Sequence, residues 1–347
     1  MDPDRRLTPS NGPGKRAKRS PVAQTGGRER SECVGTRGGE PSTIRVWAIG
    51  ASLFEENRHY GHAHLLLSYC GLSPRTQIPV RLQHGWQPGV GMRPQDMAQP
   101  GPKIVWSSRN LARAREAGYR GAVAIGAPWL YMPRAPDPGP DHPRSVLIVP
   151  FHGWEKQALA GTMDDYAQAL VRLEAAGFGP ITVCLYWFEY EQPALREVFE
   201  RHGFATTTMG ARGDNPAFLQ RQRELIQRHA YVSSNRVSTA AFYALEAGRP
   251  FFLYGPLAGL SATEDASGEQ FDQWQRDEFP SLAAVAADAV CNVELGAYEL
   301  GAEHKRTPEQ LRELLLLGAD QRGARLTVGL RRRAHDLGVA LGLGRRP

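Results

Sequence analysis

Tyr231-Val-Ser-Ser-Asn-Arg-Val-Ser-Thr-Ala-Ala-Phe-Tyr-Ala-Leu-Glu-Ala-Gly-Arg-Pro-Phe-Phe-Leu-Tyr-Gly255 reads as strand, polar turn, helix, glycine turn and strand. A strand that passes through a helix into a second strand is a βαβ unit, with its strands parallel in one sheet. Val232 ends an apolar run. Ser233, Ser234 and Asn235 then supply hydroxyl and amide groups, and Ser238 or Thr239 falls where a helix exposes unpaired backbone N–H groups. At the carboxyl edge of a parallel sheet such a turn can hold an anion. An ordinary helix cap without a ligand is the plainer alternative.

The same alternation extends outward. Ser145–Pro150 is an apolar buried strand, 163–176 an amphipathic helix closed by Gly177, and Ile181–Trp187 another strand, with helices expected over 193–202 and 216–229. Upstream, 78–83, 103–106 and 122–125 read as strands and 111–117 as a helix, while Ile44-Arg-Val-Trp-Ala-Ile-Gly50 has the pattern of a first strand. Strands alternating with helices imply an α/β protein with parallel sheets covered on both faces. Thr307 caps a helix with Pro308 in its first position, running through Leu317. Leu326, Leu330, Leu337 and Leu341 suggest a last helix flanked by arginines, packed across a domain junction or lying on a membrane surface.

With 347 residues the chain is long enough for two domains. The expected division is a disordered basic tail over 1–42, a short domain over 43–132, a linker rich in Pro, Asp and Gly over 133–143, a second domain over 144–320, and a basic helix or tail over 321–347. Cys33, Cys70, Cys184 and Cys291 lack CxxC or Cys/His spacing, so neither a zinc site nor a disulfide framework is indicated, and a reduced cytoplasm fits. No apolar stretch approaches the roughly 20 residues of a spanning helix, and Arg5-Arg6 lacks the hydrophobic segment of an export signal. The positive excess sits at the ends, in Lys15, Arg16, Lys18 and Arg19 and in Arg331, Arg332, Arg333, Arg345 and Arg346, where it could bind nucleic acid or an anionic membrane surface. The expectation is a cytoplasmic protein, peripheral on the inner face of the membrane, with no specific nucleic-acid partner.

Three turns follow apolar strands: Gly50-Ala-Ser52, His84-Gly-Trp86 and Phe151-His-Gly-Trp-Glu-Lys156. Glycine permits close approach, and imidazole accepts a proton near neutral pH, which makes His84 the candidate general base and Glu155 its rival. His152 lies in the third turn, and Lys156 could offset phosphate charge. His59, His62 and His64 have metal-like spacing without a matching carboxylate, and Asp164-Asp165 sits where a helix start favours acids, so no metal is assigned. GxxxxGK[ST], GxGxxG after a strand and GxSxG are all missing from the sequence. Phosphate would then be held by Ser234, Asn235, Ser238 and Thr239, with charge from Arg236.

The run from Ser234 to Gly255 resembles the donor-binding half of GT-B fold glycosyltransferases of bacterial capsule and surface-polysaccharide assembly. Gln83-His-Gly-Trp86, Ile125-Gly-Ala-Pro-Trp-Leu-Tyr131 and Leu300-Gly-Ala-Glu-His-Lys-Arg-Thr-Pro-Glu-Gln-Leu311 look similar to its acceptor loop, interdomain passage and closing helix. The resemblance implies two Rossmann-like domains facing a cleft, the first taking a glycan or lipid-linked acceptor and the second a nucleotide-sugar donor, with no metal or other cofactor. It implies that Ser238 and Thr239 hold the donor phosphates, that Tyr254, Gly255 and Pro256 line the nucleotide pocket, and that His84 activates an acceptor hydroxyl. The expected activity is glycosyl transfer to a growing polysaccharide or lipid-linked acceptor. The rivals are a nucleotide-sugar epimerase of the same fold and a non-catalytic binding protein.

Overall fold

A computed structural model of the protein describes residues 55–98, 101–152, 159–160, 163–213, 215–256, 259–260, 268–283 and 286–316. The expected strand at 44–50, the basic tail, the turn at 50–52 and the helix beyond 321 lie outside these residues, as do Glu155 and Lys156.

The chain is α/β, with two parallel sheets, as the alternation of strands and helices requires. In the first sheet the order is β1 (Arg81–Leu82), β2 (Lys103–Val105), β3 (Ala122–Ala124), all parallel. The strand expected over 78–83 shortens to two residues because Pro79 has no N–H for a ladder. Beyond it the Asn57 side chain takes a neighbouring strand's place: its amide donates to the Val80 carbonyl (2.8 Å), and its oxygen accepts from the Leu82 N–H (2.9 Å). Helix α1 (His62–Tyr69) covers one face, with Leu66 and Leu67 packed on Ile78, Leu82 and Ile104. The other face carries α2 (Pro94–Met97) and α3 (Ser108–Glu116), through Met97 and Ala114 against Val105 and Ala124.

The second sheet contains β4 (Val146–Ile148), β6 (Ile181–Cys184), β7 (Ala205–Thr207), β8 (Tyr231–Ser234) and β9 (Phe251–Leu253), in the order β7-β6-β4-β8-β9 and parallel throughout. A short ribbon, β5 (Leu159–Ala160) with β10 (Gly259–Leu260), is antiparallel. Alternation along β4 shows both faces covered. Val146 and Ile148 meet Tyr166, Leu170 and Leu173 of α4 (Met163–Ala175) and Phe199 of α6 (Pro193–Glu200). Leu147 faces the opposite layer, with Leu219 and Ile226 of α7 (Phe218–Gln227) and Ala241, Phe242 and Leu245 of α8 (Thr239–Glu246). The chain winds outward from β4 to β7, then returns to lay β8 on the other side of β4. The crevice between the carboxyl ends of β4 and β8 is therefore the switch point, where ligands bind in open α/β sheets.

The strand expected over 181–187 stops at Cys184, and Trp187 opens α5 (Trp187–Tyr190). The elements β7, α9 (Gly268–Glu278) and α10 (Val293–Glu299) are additions to those expected from the sequence. The segment 133–143 holds neither helix nor strand. Asp164 and Asp165 stand in the first turn of α4, where carboxylates favour the helix dipole. Helix α11 (Pro308–Leu316) begins on a reciprocal cap: Thr307 Oγ1 accepts from the Gln310 N–H and Gln310 Oε1 accepts from the Thr307 N–H. Its Leu311 and Leu315 are buried in the core of the first sheet, so the end of the described chain returns to the layer where it began.

Candidate functional site

Strand β8 delivers Asn235 to the switch point. Its side-chain oxygen accepts from the Phe151 N–H (2.9 Å) just after β4, and its amide donates to the Pro256 carbonyl (3.1 Å) just after β9. One carboxamide thus joins three strand ends. Ser234 is fully buried, with its Oγ accepting from the Arg236 N–H (3.3 Å), so its hydroxyl builds the turn. Arg236 lies over the Phe271 ring (3.6 Å to the centroid) and near that of Phe151 (4.4 Å). The Val237 N–H donates to Gln275 Oε1 (2.8 Å), which fixes the approach to α8.

Ser238 is the N-cap residue of α8, in extended conformation, and its side chain makes no capping hydrogen bond. The first N–H groups of a helix have no partner within it and carry a partial positive charge. Ser238 and Thr239 line a cavity of about 270 Å³ that also receives His84, Gly85, His152 and Trp187. That cavity lies between the two sheets, since Tyr60, His62, His84, Gly85 and Gln87 belong to the first and the lining residues from Val149 onward to the second.

The turn after β1 is held in place by Gln83. Its Oε1 accepts from the Trp106 N–H (2.9 Å) and its Nε2 donates to the Gly85 carbonyl (2.8 Å), which sets the course of the chain through His84. The Trp86 N–H donates to Thr239 Oγ1 (2.9 Å), so the turn of the first sheet is bonded directly to the helix start of the second. The Trp86 indole donates to Glu299 (2.9 Å), a fully buried carboxylate that Arg109 grips with Nε (3.0 Å) and Nη2 (2.7 Å). A Cβ added at Gly85 would stand 3.5 Å from Thr239 Oγ1, in ordinary van der Waals contact, so the approach of the two segments does not by itself demand glycine there.

Around His84 stands a group of rings. His59 lies 5.6 Å away edge-on, and Tyr60, in the left-handed region at φ +57°, stacks at 6.4 Å and meets Phe218 at 4.8 Å. A non-glycine residue held there stores backbone strain, a common accompaniment of ligand sites. Burial, with help from His59, lowers the His84 pKa to about 4. Burial also lowers that of His62 to about 3, assisted by His84 and His59. Both rings are neutral at pH 7. On the opposite wall His152 stacks on Tyr186 at 4.1 Å, nearly parallel. Cys184 lies behind, its thiol pushed up to about 12 by burial.

These shifts set a pH dependence. In the unfolded chain an imidazole takes a proton near pH 6.5, whereas the folded protein resists protonation of His84 to about 4 and of His62 to about 3. Above pH 6.5 both states are neutral and stability is intact. As pH falls toward 4 the unfolded chain binds protons that the folded chain cannot, and stability is lost. At about 1.4 kcal/mol per pKa unit, His84 alone costs on the order of 3 kcal/mol by pH 4. We expect the melting temperature to fall through this window and His62→Gln to flatten the slope. A flat profile in the parent protein would reject the burial argument.

The structure therefore gathers His84, His152, Ser238 and Thr239 around one cavity. Tyr254, Gly255 and Pro256 line a second, about 500 Å³, with Asn235, Arg172 and Arg276, and the Tyr254 hydroxyl donates to the Ala169 carbonyl (3.0 Å). Ser234 and Arg236 line neither. Among the described residues no group of three or more His, Cys, Asp or Glu side chains is arranged to hold a metal ion, the His59–His62–His64 run included. Sequence reasoning missed Tyr186 and Trp187, although an aromatic pair just after an apolar strand carries the same strand-end signal as His84. It also read His62 only as a weak metal ligand.

No protein-family model matches the chain, and no curated protein matches it. Among solved structures it is similar to S. aureus MnaA in a co-structure with UDP, at 11% identity, with 64% of this chain and 60% of that chain covered and a TM-score of 0.38. It is similar to UDP-GlcNAc 2-epimerase from Neisseria meningitidis bound to UDP-GlcNAc, at 10% identity over 65% of this chain and 64% of that one, TM-score 0.38. It is also similar to the wall teichoic acid polymerase TagF, at 11% identity over 64% and 60%, TM-score 0.30. The chain thus spans less than two thirds of each of these structures.

Proposed function

We propose that the protein is a glycosyltransferase that moves a sugar from a nucleotide-sugar donor to a hydroxyl of a polysaccharide or lipid-linked acceptor, at the cytoplasmic face of the membrane. In this reading residues 43–132 form the acceptor half and 144–320 the donor half. The observation that carries it is the meeting, in one cavity, of a neutral imidazole from the first sheet and an uncapped helix start from the second. His84 would take the proton of the acceptor hydroxyl as its oxygen bonds to the anomeric carbon. The bond from that carbon to the phosphate oxygen would break, with the departing negative charge received by the Ser238 hydroxyl and the first N–H groups of α8.

The binding half of the reading is tested by calorimetry with nucleoside diphosphates. Ser238→Ala is expected to weaken affinity by about 1–3 kcal/mol, the usual worth of a hydrogen bond to a charged group. Ser238 is the suitable target because Thr239 also holds the Trp86 N–H, so its removal would disturb the fold. Unchanged affinity in Ser238→Ala would reject the phosphate site.

One observation favours a second reading, a nucleotide-sugar epimerase. His62, His84 and His152 all line a single chamber, and an epimerase needs acid and base groups about one sugar without an acceptor groove. Product analysis decides: transfer requires an added acceptor and liberates the nucleoside diphosphate, whereas epimerisation converts the nucleotide sugar alone.

A further inference from the structure

Among the described residues that line the 270 Å³ cavity there is no Asp, Glu, Lys or Arg. Among these residues the attraction for an anion comes from the start of α8, where the proposed reading puts the diphosphate. Away from that helix start the wall offers neutral groups. The Trp187 indole N–H and His62 Nδ1 are buried with no hydrogen-bond partner. Gln222 presents a carboxamide that is 6% exposed, and the Tyr186 and His152 rings supply flat apolar surface. A carboxylate entering this region would lose its water with no cation among the described lining residues to replace it. Hydroxyl groups, each both donor and acceptor, would instead satisfy the orphan indole and imidazole atoms, and an uncharged ring matches a mostly apolar pocket with few polar points.

We infer that the sugar compartment is built for an uncharged, polyhydroxylated ring, so that donors bearing neutral hexoses are accepted and donors bearing sugar acids are refused. This selection rests on the nucleotide-sugar reading and adds the chemical class of the sugar to it. The burial of His62, which keeps its ring neutral at pH 7, supports it, because that ring supplies no counter-charge.

The test is calorimetry on the full chain at pH 7.5 with matched pairs, UDP-glucose against UDP-glucuronate and GDP-mannose against GDP-mannuronate, and with UDP and GDP alone. The neutral member of the recognised pair should bind at least tenfold more tightly than its acid. Trp187→Phe, which removes the indole N–H, should lower neutral-sugar affinity about fivefold or more while leaving the nucleoside diphosphate unaffected. Gln222→Lys should narrow or invert the preference, and melting curves would show whether either variant is folded. Equal or tighter binding of the acid in the parent protein overturns the selection and leaves the nucleotide-sugar reading standing. Failure of every nucleotide and nucleotide sugar to bind overturns both.

Discussion

His84→Gln should lower turnover by about 10²–10⁴-fold, the usual worth of a positioned general base, while affinity for the nucleoside diphosphate stays within about twofold. Glutamine fills much of the space of imidazole and can hydrogen-bond, but cannot accept a proton near neutral pH. The unliganded protein holds His84 at about 4, too weak a base for efficient proton removal at pH 7. A diphosphate at the start of α8 would place negative charge across the cavity and raise that value toward the working range. The acid limb of kcat/KM, which reports the free enzyme, should therefore lie below that of kcat, which reports the complex. Turnover retained in His84→Gln would move the base to another group, with Glu155 next to be tested.

The second large effect concerns Gly301, which does not line the cavity. It adopts φ +72°, and a Cβ there would collide with the Trp106 carbonyl and the Ser107 backbone. Gly126, at φ +81°, is bound by the same crossing: an added Cβ would meet the Gly301 oxygen at 2.8 Å. The Gly126 N–H donates to the Trp106 carbonyl (2.9 Å) and the Ala127 N–H to that of Leu300 (2.7 Å). Three backbone segments therefore touch where the chain returns to the first sheet. Because carbonyls cannot turn aside like the tip of a long side chain, Gly301→Ala should destabilise the fold by about 3 kcal/mol or more, combining left-handed strain with overpacking. A chemical denaturation midpoint near that of the parent would show that the crossing relaxes.

The second sheet was legible because its strands are apolar runs broken by polar turns, and Tyr231–Gly255 folds as the strand, helix and strand that its pattern describes. Helix α11 was legible from Thr307, Pro308 and the amphipathic turns after them. β7 escaped notice because Ala205-Thr-Thr207 has little apolar contrast, and β1 was overestimated because Pro79 interrupts its ladder. Strand-end and helix-start logic pointed to His84, His152, Ser238 and Thr239, and these four line one cavity. It could not separate hydroxyls that face the cavity from those that build the turn. Ser234 and Ser238 are equally polar in sequence, yet one is buried beneath the Arg236 N–H and the other is left uncapped. That difference depends on how the backbone turns after β8, and no side-chain pattern encodes it.

The hydroxyl of Thr239 receives the Trp86 N–H, yet a hydroxyl has its own hydrogen to give. Drawing the sheets apart there would break this bond together with Trp86 to Glu299, Trp129 to Glu246 and Ala127 to Leu300. The two sheets are thus fastened by four hydrogen bonds that would have to fail together, and the width of the cavity between them is set by the fold itself.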